Sequence, residues 1–558
     1  MPVNEIEQRL IGIDSPYEIR EVIEDGVSHR IFRHAPQSLN DIFRRAVKMG
    51  GTPFATFGSE RMTYGQAFEE AGRVAMVLRE RFGVGSGVRV GLALDNRPEW
   101  ISAFFAIISL GATAVLIAQK DPAQIHHCVL ESRCLLLLVD VPTLETISPM
   151  DTAFPLIVVG LQGTKLSSSN DRFYLDQLIR ETVGTCTDFG SLPSLPPNRE
   201  CVIAFTSGTT GKPKGVVLTH LNIISGLMNM ALGGLLAHAL NGDVARRRPA
   251  GRRIPCALVH LPMSYIGGFS PLLLTLMVGG RLVILHRWDL DDVSRLIEIE
   301  QVTSLPGCDP AQLRELLQIN VDAASLTSIG VSGVALHKEL LHELATRWPH
   351  VVVGTGYGMT ETSGSIAVIA GQALMERPQS SGRVLPTVDI RIVGDDNMSV
   401  APGCEGEIWL RSASLMRGYC TASESPHGLI DGWFRTGDLG VLSEDRHLSI
   451  VDRLADAFTI DSTRVSALEL ERALVNDPRI VEAAVFKRNK QSHDSILIVV
   501  VVPRLPNLID TASIQSTVTS ISLIPASKVN VLYVSTLPRN RFGKVDRAAL
   551  RLQTATDY

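Results

Sequence analysis

Phe205–His220 reads FTSGTTGKPKGVVLTH, and this stretch decides the class of the chain. The residues before it, Val202–Phe205, are apolar and read as a buried strand, and a second apolar run follows Gly215. Glycines at 208, 211 and 215 let backbone N–H groups turn inward without Cβ clashes. Thr206, Ser207, Thr209 and Thr210 offer hydroxyls, and Lys212 and Lys214 offer positive charge. Such a loop can wrap a polyphosphate, because charge-assisted hydrogen bonds are the strong ones. Pro213 stiffens it and removes one backbone donor. A Walker P-loop needs glycine at 206 and serine or threonine at 213, where this chain has Thr206 and Pro213. A plain Ser/Thr/Gly linker does not account for a Lys-Pro-Lys-Gly ending set between two apolar runs.

Around this loop, from about residue 60 to 300, helix-like stretches alternate with short apolar runs. Gln66–Arg81 has helical spacing and Val88–Leu94 reads as a strand; Ile101–Leu110, Leu135–Val139 and Pro155–Val159 continue the alternation. The expected fold class is therefore α/β, with a large N-terminal domain of layered sheets and helices around largely parallel strands. No internal repeat is visible, so a solenoid is not expected. After Arg453 the texture changes: a helix at Leu468–Leu474 and strands at Val481–Val485, Ile496–Val502 and Val529–Val534 predict a small α+β domain. The expected division is 1–452 and 453–558. Ala239–Arg253 holds five arginines and reads as a solvated surface loop.

The chain has 558 residues, too many for one compact core. With 45% hydrophobic and 20% charged residues it is an ordinary globular protein, and a net charge of −5 argues against a general nucleic-acid binder. The eight cysteines show no CxxC or zinc-finger spacing and are expected as free thiols in a reducing cytosol. The acidic, polar start MPVNEIEQRLIGIDSPYEIREV predicts no signal peptide, and a cytoplasmic location is expected. Ile101–Ala118 is uncharged over 18 residues, the length of a membrane span. Gly111 splits it into a helix-like half and a β-rich half, so a buried helix feeding a buried strand is expected, and no membrane span.

TSGTTGKPKG at 206–215 resembles the signature of the adenylate-forming superfamily, which holds acyl- and aryl-CoA synthetases, peptide-synthetase adenylation domains and firefly luciferase. Further segments match in order over about residues 40 to 550. Gly356–Thr362 (GYGMTET) resembles the second core motif, Gly432–Gly440 (GWFRTGDLG) the third, Asp452-Arg453 the hinge, and Pro538–Lys544 (PRNRFGK) the C-terminal lysine motif. The resemblance is greatest to fatty-acid or aryl acyl-CoA synthetases. It implies that ATP and Mg²⁺ activate a carboxylic acid as acyl-adenylate, which then forms a thioester with CoA. It also implies that the C-terminal domain is mobile.

Carried onto this chain, the resemblance places the phosphates against Thr206, Ser207, Gly208, Thr209, Thr210, Gly211 and Lys214. It implies adenine stacking on Tyr357 between Gly356 and Gly358, an α-phosphate contact from Thr360, and Mg²⁺ ligation by Glu361. Asp438 would accept the ribose hydroxyls, and Arg453 would reach the ribose or phosphates. Lys544 would bridge the acid carboxylate and the α-phosphate, a task suited to a compact ammonium on a long stem. Tyr265, Gly267, Gly268 and Phe269, with Ser332 and Gly333, would line the acid pocket. No basic residue stands among them, which predicts a hydrophobic monocarboxylic acid, aliphatic or polycyclic, held by shape. An amino-acid substrate would want an acidic partner, and only Asp309 downstream offers one.

The chain departs from the family pattern in places. Ile117-Ala118-Gln119 replaces a usual Pro-Leu-Asn, and Asn530 stands where proline is usual. Ala455 occupies the hinge position normally held by Asp or Lys, and Ser462 replaces a glycine that lies along the CoA tunnel in CoA-forming relatives. The adenylation parts look whole and the thiol-transfer parts altered. An acyl-AMP ligase serving an acyl carrier protein or another acceptor is therefore the alternative, and a nucleotide-binding pseudoenzyme a third reading that Lys544 and Glu361 oppose. A homodimer is left open.

Overall fold

The computed structural model describes residues 3–24, 26–147, 154–160, 172–206, 212–242, 244, 254–332, 336, 338–420, 429–454, 458–460, 463–489, 495–505, 509–539 and 545–554. The chain divides into two compact units: 1–378 with 382–389 and 411–434, and 379–381 with 390–410 and 435–558. The boundary expected between 452 and 453 falls inside the second unit.

The first unit is α/β. One of its sheets has eight strands in the order Gly418–Tyr419, Lys214–Thr219, Glu200–Thr206, Thr113–Leu116, Arg89–Ala93, Leu136–Asp140, Leu156–Val159 and Arg172–Tyr174. From Glu200–Thr206 onward the strands run parallel. Such a sheet is covered on both faces, which is why its strands read as unbroken apolar runs. The helix Tyr64–Phe82 starts at a Thr63/Gln66 capping box and stops at Gly83, whose φ of 64° suits the left-handed end. The uncharged run resolves as expected into the helix Pro98–Ser109 and the strand Thr113–Leu116, and the turn between them passes through Gly111 at φ 69°.

A second sheet of this unit runs Gly382–Val384, Gly364–Ala370, Val352–Met359, Ser328–Val331, Ser304–Cys308, Cys256–Val259, Arg281–Ile284, Pro53–Phe57 and Glu60–Thr63. The helix His220–Leu240 packs against Gly364–Ala370. By length and composition it could cross a bilayer, yet twelve of its 21 residues are buried here, Asn222 and Asn229 among them. Asn222 Nδ2 donates to Ala413 O at 3.0 Å and Thr387 donates to Asn229 Oδ1 at 2.6 Å, so this is a core helix whose buried asparagines bond to neighbouring segments. Most of the basic stretch Ala239–Arg253 lies outside the described residues.

The second unit holds the strands Glu405–Arg411 and His447–Arg453 with most of Trp433–Leu442. A further sheet orders Ile480–Asn489, Ser495–Pro503 and Val529–Tyr533, and the helices Ala467–Val475 and Thr511–Ser522 share its core. The expected α+β texture is present. Among the described residues all eight cysteines are free.

Candidate active site

The phosphate-loop motif is anchored at its neck. Glu200–Thr206 and Lys214–Thr219 pair antiparallel, with Thr206 opposite Lys214, so the ladder closes where the glycine-rich segment leaves it. Ser207, Gly208, Thr209, Thr210 and Gly211 lie outside the described residues. Beside this neck runs a two-residue strand, Gly418–Tyr419, paired with Val216 and Val217. Its flanks are pinned by backbone bonds: Arg417 N to Val217 O at 2.9 Å, Cys420 N to Gly215 O at 2.8 Å, and Met416 N to Glu361 O at 2.8 Å.

That last bond ties the phosphate-loop neck to the second motif. Tyr419 Oη donates to Glu361 Oε1 at 2.9 Å, and Lys214 Nζ stands 5.7 Å from the Tyr419 ring centroid. Lys214, Tyr419 and Glu361 thus form one contiguous group. Burial, reinforced by the adjacent Glu361 carboxylate, pushes the Tyr419 phenol up, so it is a donor at neutral pH.

Glu361 sits on the 3₁₀ turn Thr360–Thr362 between the strands Val352–Met359 and Gly364–Ala370. The turn is locked from within. Met359 N donates to Thr362 Oγ1 at 2.9 Å, Thr362 Oγ1 to Gly364 O at 2.6 Å, and Ser363 N to Thr360 O at 3.0 Å. Thr360 is buried beside it. The glycines of the motif have a local cause. A Cβ on Gly356 would lie 2.4 Å from Ala367 O, and one on Gly358 would lie 2.2 Å from Gly364 O. Their side-chain space is taken by the neighbouring strand. Tyr357 between them is 9% exposed.

The residues expected around the acid are only partly brought together. The Leu261 side chain lies 3.3 Å from where a Cβ on Gly267 would stand and 2.4 Å from one on Gly307. Ser332 Oγ donates to Gly307 O at 3.2 Å, so Gly267, Leu261, Gly307 and Ser332 are contiguous. Tyr265 leads into the helix Ile266–Val278 beside Gly267, and Gly268 is required by the Pro262 carbonyl, 2.0 Å from its would-be Cβ. Phe269 is fully buried, with its ring centroid 6.1 Å from that of Phe104. Asp309 accepts from Gln312 N at 2.9 Å as the cap of the helix Pro310–Gln318, so its carboxylate already has a structural partner. Gly333 lies outside the described residues.

In the second unit Asp438 and Arg453 face each other across the Trp433–Leu442 and His447–Arg453 pair, with Arg453 Nε 3.3 Å from Asp438 Oδ1. Asp438 is buried, whereas the Arg453 side chain is 55% exposed and keeps its reach. Ala455, Ser462 and Lys544 lie outside the described residues.

The donor set suits a magnesium nucleotide. Among the described residues, no group of three or more His, Cys, Asp or Glu side chains could hold a metal. Mg²⁺ commonly takes one or two carboxylates and fills its octahedron with water and phosphate oxygens. Glu361 supplies one carboxylate oriented by Tyr419, whose ring centroid lies 5.7 Å from the Lys214 ammonium at the loop neck, which matches that division of ligands. Sequence reading missed Tyr419 altogether, since Gly418-Tyr419 carries no spacing signal and acquires meaning only through strand pairing.

Comparison with known proteins agrees with this geometry. The chain is similar to 4-coumarate–CoA ligase-like 6 of Oryza sativa subsp. japonica, 32% identical over 517 residues, covering 86% of this chain and 81% of that one. It is also similar to 4-coumarate–CoA ligase-like 9 of Arabidopsis thaliana, 28% identical over 503 residues, covering 88% and 84%. Among solved structures it shares the fold of O-succinylbenzoate coenzyme A synthetase from Bacillus subtilis in complex with ATP and magnesium ion. That pair has a TM-score of 0.75 at 24% identity, covering 92% of this chain and 99% of the other. The profile of the AMP-binding enzymes matches residues 42–420, a span that takes in both the loop neck and the Glu361 turn. The chain therefore belongs to the AMP-binding enzyme family and is a ligase of the adenylate-forming superfamily.

Proposed function

We propose that the protein activates a hydrophobic monocarboxylic acid with ATP as its acyl-adenylate and then transfers the acyl group to the thiol of CoA. The observation that carries this reading is the junction of Lys214, Tyr419 and Glu361 at the neck of the phosphate loop. It gathers a cation and one oriented carboxylate where two anions have to be brought together, and charge neutralisation is the main demand of such a step. Bound magnesium ATP supplies the electrophilic α-phosphorus and the pyrophosphate leaving group.

The chain's own groups bind and orient. Thr206–Gly211 and Lys214 hold phosphate oxygens, Tyr357 lies against adenine, Asp438 accepts from the ribose, and Arg453 leaves Asp438 to reach ribose or phosphate. Thr360 donates to the α-phosphate and Glu361 holds the metal. Lys544 bridges the carboxylate and the α-phosphate. Tyr265, Gly267, Gly268, Ser332 and Gly333 shape an acid site without a basic residue, which favours an uncharged acyl chain.

The relatives are named CoA ligases, which supports CoA as the acceptor. Ala455 at the hinge and Ser462 at the tunnel favour a second acceptor reading, a carrier-protein thiol. A cytoplasmic setting supplies ATP, Mg²⁺ and either acceptor. The deciding experiment is acid-dependent ATP–pyrophosphate exchange over an acid panel, repeated with CoA and with a phosphopantetheinylated carrier protein, with products read by mass spectrometry. Exchange restricted to amino acids, or none with any acid, would overturn the reading.

A further inference from the structure

We propose that Tyr419 is a positioning residue that orients Glu361 as a metal ligand for the magnesium nucleotide; this rests on the reading of Glu361 above. Carboxylates that bind metals are themselves commonly held by a second hydrogen bond, and losing that partner typically weakens metal affinity or activity about 10–100-fold. Tyr419 meets this description. Its phenol donates to one carboxylate oxygen, Oε1, at 2.9 Å, and a carboxylate has lone pairs on both oxygens, so Oε2 remains available to the ion.

The opposite role is a latch, in which the phenol competes with the metal and must let go. The backbone on both sides argues against it. Residues 415–420 are fixed by the pairing of Gly418-Tyr419 with Val216-Val217 and by the Met416, Arg417 and Cys420 amides. The Glu361 turn is fixed in turn by the Thr362 hydroxyl and the Ser363 amide. The backbone at both ends is thus held where the phenol reaches the carboxylate, so the contact needs no rearrangement of the chain to be kept when the ion binds. The same strand places the ring by the Lys214 ammonium. The carboxylate for the metal and the cation for the phosphates therefore both adjoin one side chain.

Tyr419→Phe removes the phenol oxygen and leaves the ring, the strand pairing and the contact with Lys214. The probe is Mn²⁺ in the presence of α,β-methylene-ATP, with the bound ion counted by EPR, so that no turnover is needed. Tyr419→Phe is expected to raise the Mn²⁺ dissociation constant about 10–100-fold, with an unchanged melting temperature for the nucleotide-free protein. In Glu361→Gln the further change Tyr419→Phe should add nothing, because the two groups act through one bond. An unchanged or tighter Mn²⁺ constant in Tyr419→Phe, with Glu361→Gln weakened, overturns the positioning role alone. If Glu361→Gln itself leaves Mn²⁺ binding unchanged, the metal-site reading of Glu361 falls and this inference falls with it.

Discussion

Gly226 lies on the buried face of the helix His220–Leu240, directly behind the turn that carries Glu361. A Cβ there would stand 2.2 Å from Ser363 O, 2.9 Å from Ser363 Cβ and 3.0 Å from Ser363 C. Packed heavy atoms settle near about 3.5 Å, so Gly226→Ala demands roughly 1 Å of movement by the helix or the turn. Two effects oppose each other. Replacing an interior helical glycine with alanine gains about 1 kcal/mol in helix propensity. Overpacking a filled site costs about 1–3 kcal/mol. The net stability change is thus between nothing and a loss of about 2 kcal/mol, and the protein stays folded. Activity should suffer far more, because a displacement of about 1 Å at a reacting site costs on the order of 10²-fold in rate. Gly234 on the same helix is exposed, with nothing within 4 Å of its would-be Cβ, and so is the control. Gly234→Ala should raise the melting temperature and leave exchange unchanged. The assay is kcat/KM for acid-dependent pyrophosphate exchange, alongside thermal melting. Full exchange activity in Gly226→Ala, with a melting temperature raised as far as in Gly234→Ala, would refute the claim that this contact sets the turn.

Lys544→Ala is expected to cost at least about 10²–10³-fold in pyrophosphate exchange, while thioester formation from supplied acyl-adenylate and CoA survives better; near-normal exchange would remove Lys544 from adenylation. Ser462→Gly should raise the thioester rate by up to about tenfold, the equivalent of about 1.4 kcal/mol, without changing exchange; equal thioester rates would make Ser462 neutral. His220 is held near a pKa of about 4, first by burial and then by Arg199, and its Nδ1 accepts from Leu39 N at 3.3 Å. The unfolded chain takes up this proton near 6.5 and the folded chain near 4, so stability should fall as pH drops through that window, by up to about 1.4 kcal/mol per pH unit for each such proton. His260, also lowered to about 4 by burial, adds to the slope. His220→Asn should remove one proton's share in urea unfolding at stepped pH, and an unchanged slope would exclude His220 as a source.

The fold was legible where a single element declares its own burial. The parallel strands, covered on both faces, show as apolar runs, so Leu136–Asp140 and Leu156–Val159 appear within a residue of their expected positions. The helix Tyr64–Phe82 was legible as Gln66–Arg81 through its helical spacing, and the Thr63/Gln66 capping box and Gly83 set its actual ends. The packing of Phe269 on Phe104 was not legible, because the two rings meet across 165 residues of chain. The hairpin Ile19–Glu24 with Val27–Phe32 escaped notice, its strands being short and mixed in polarity. The grouping of 390–410 with 435–558 in one compact unit had no counterpart in the sequence reading, because it is made by contacts between separate stretches of chain.

The candidate site divides along the same physical line. Motif residues such as Glu361 and Lys214 are recognisable because their chemistry and spacing travel together along the chain. Tyr419 and Gly226 are not, since what they do is set by partners 58 and 137 residues away: Glu361 in one case and Ser363 in the other. One supplies a hydrogen bond to a carboxylate and the other supplies only the absence of a methyl group. Both act on the same short segment, Glu361–Ser363. If Tyr419→Phe weakens Mn²⁺ binding and Gly226→Ala depresses exchange, then part of the precision of this site resides outside its motifs. Motif content alone would then overstate how well a related sequence can bind and orient its nucleotide.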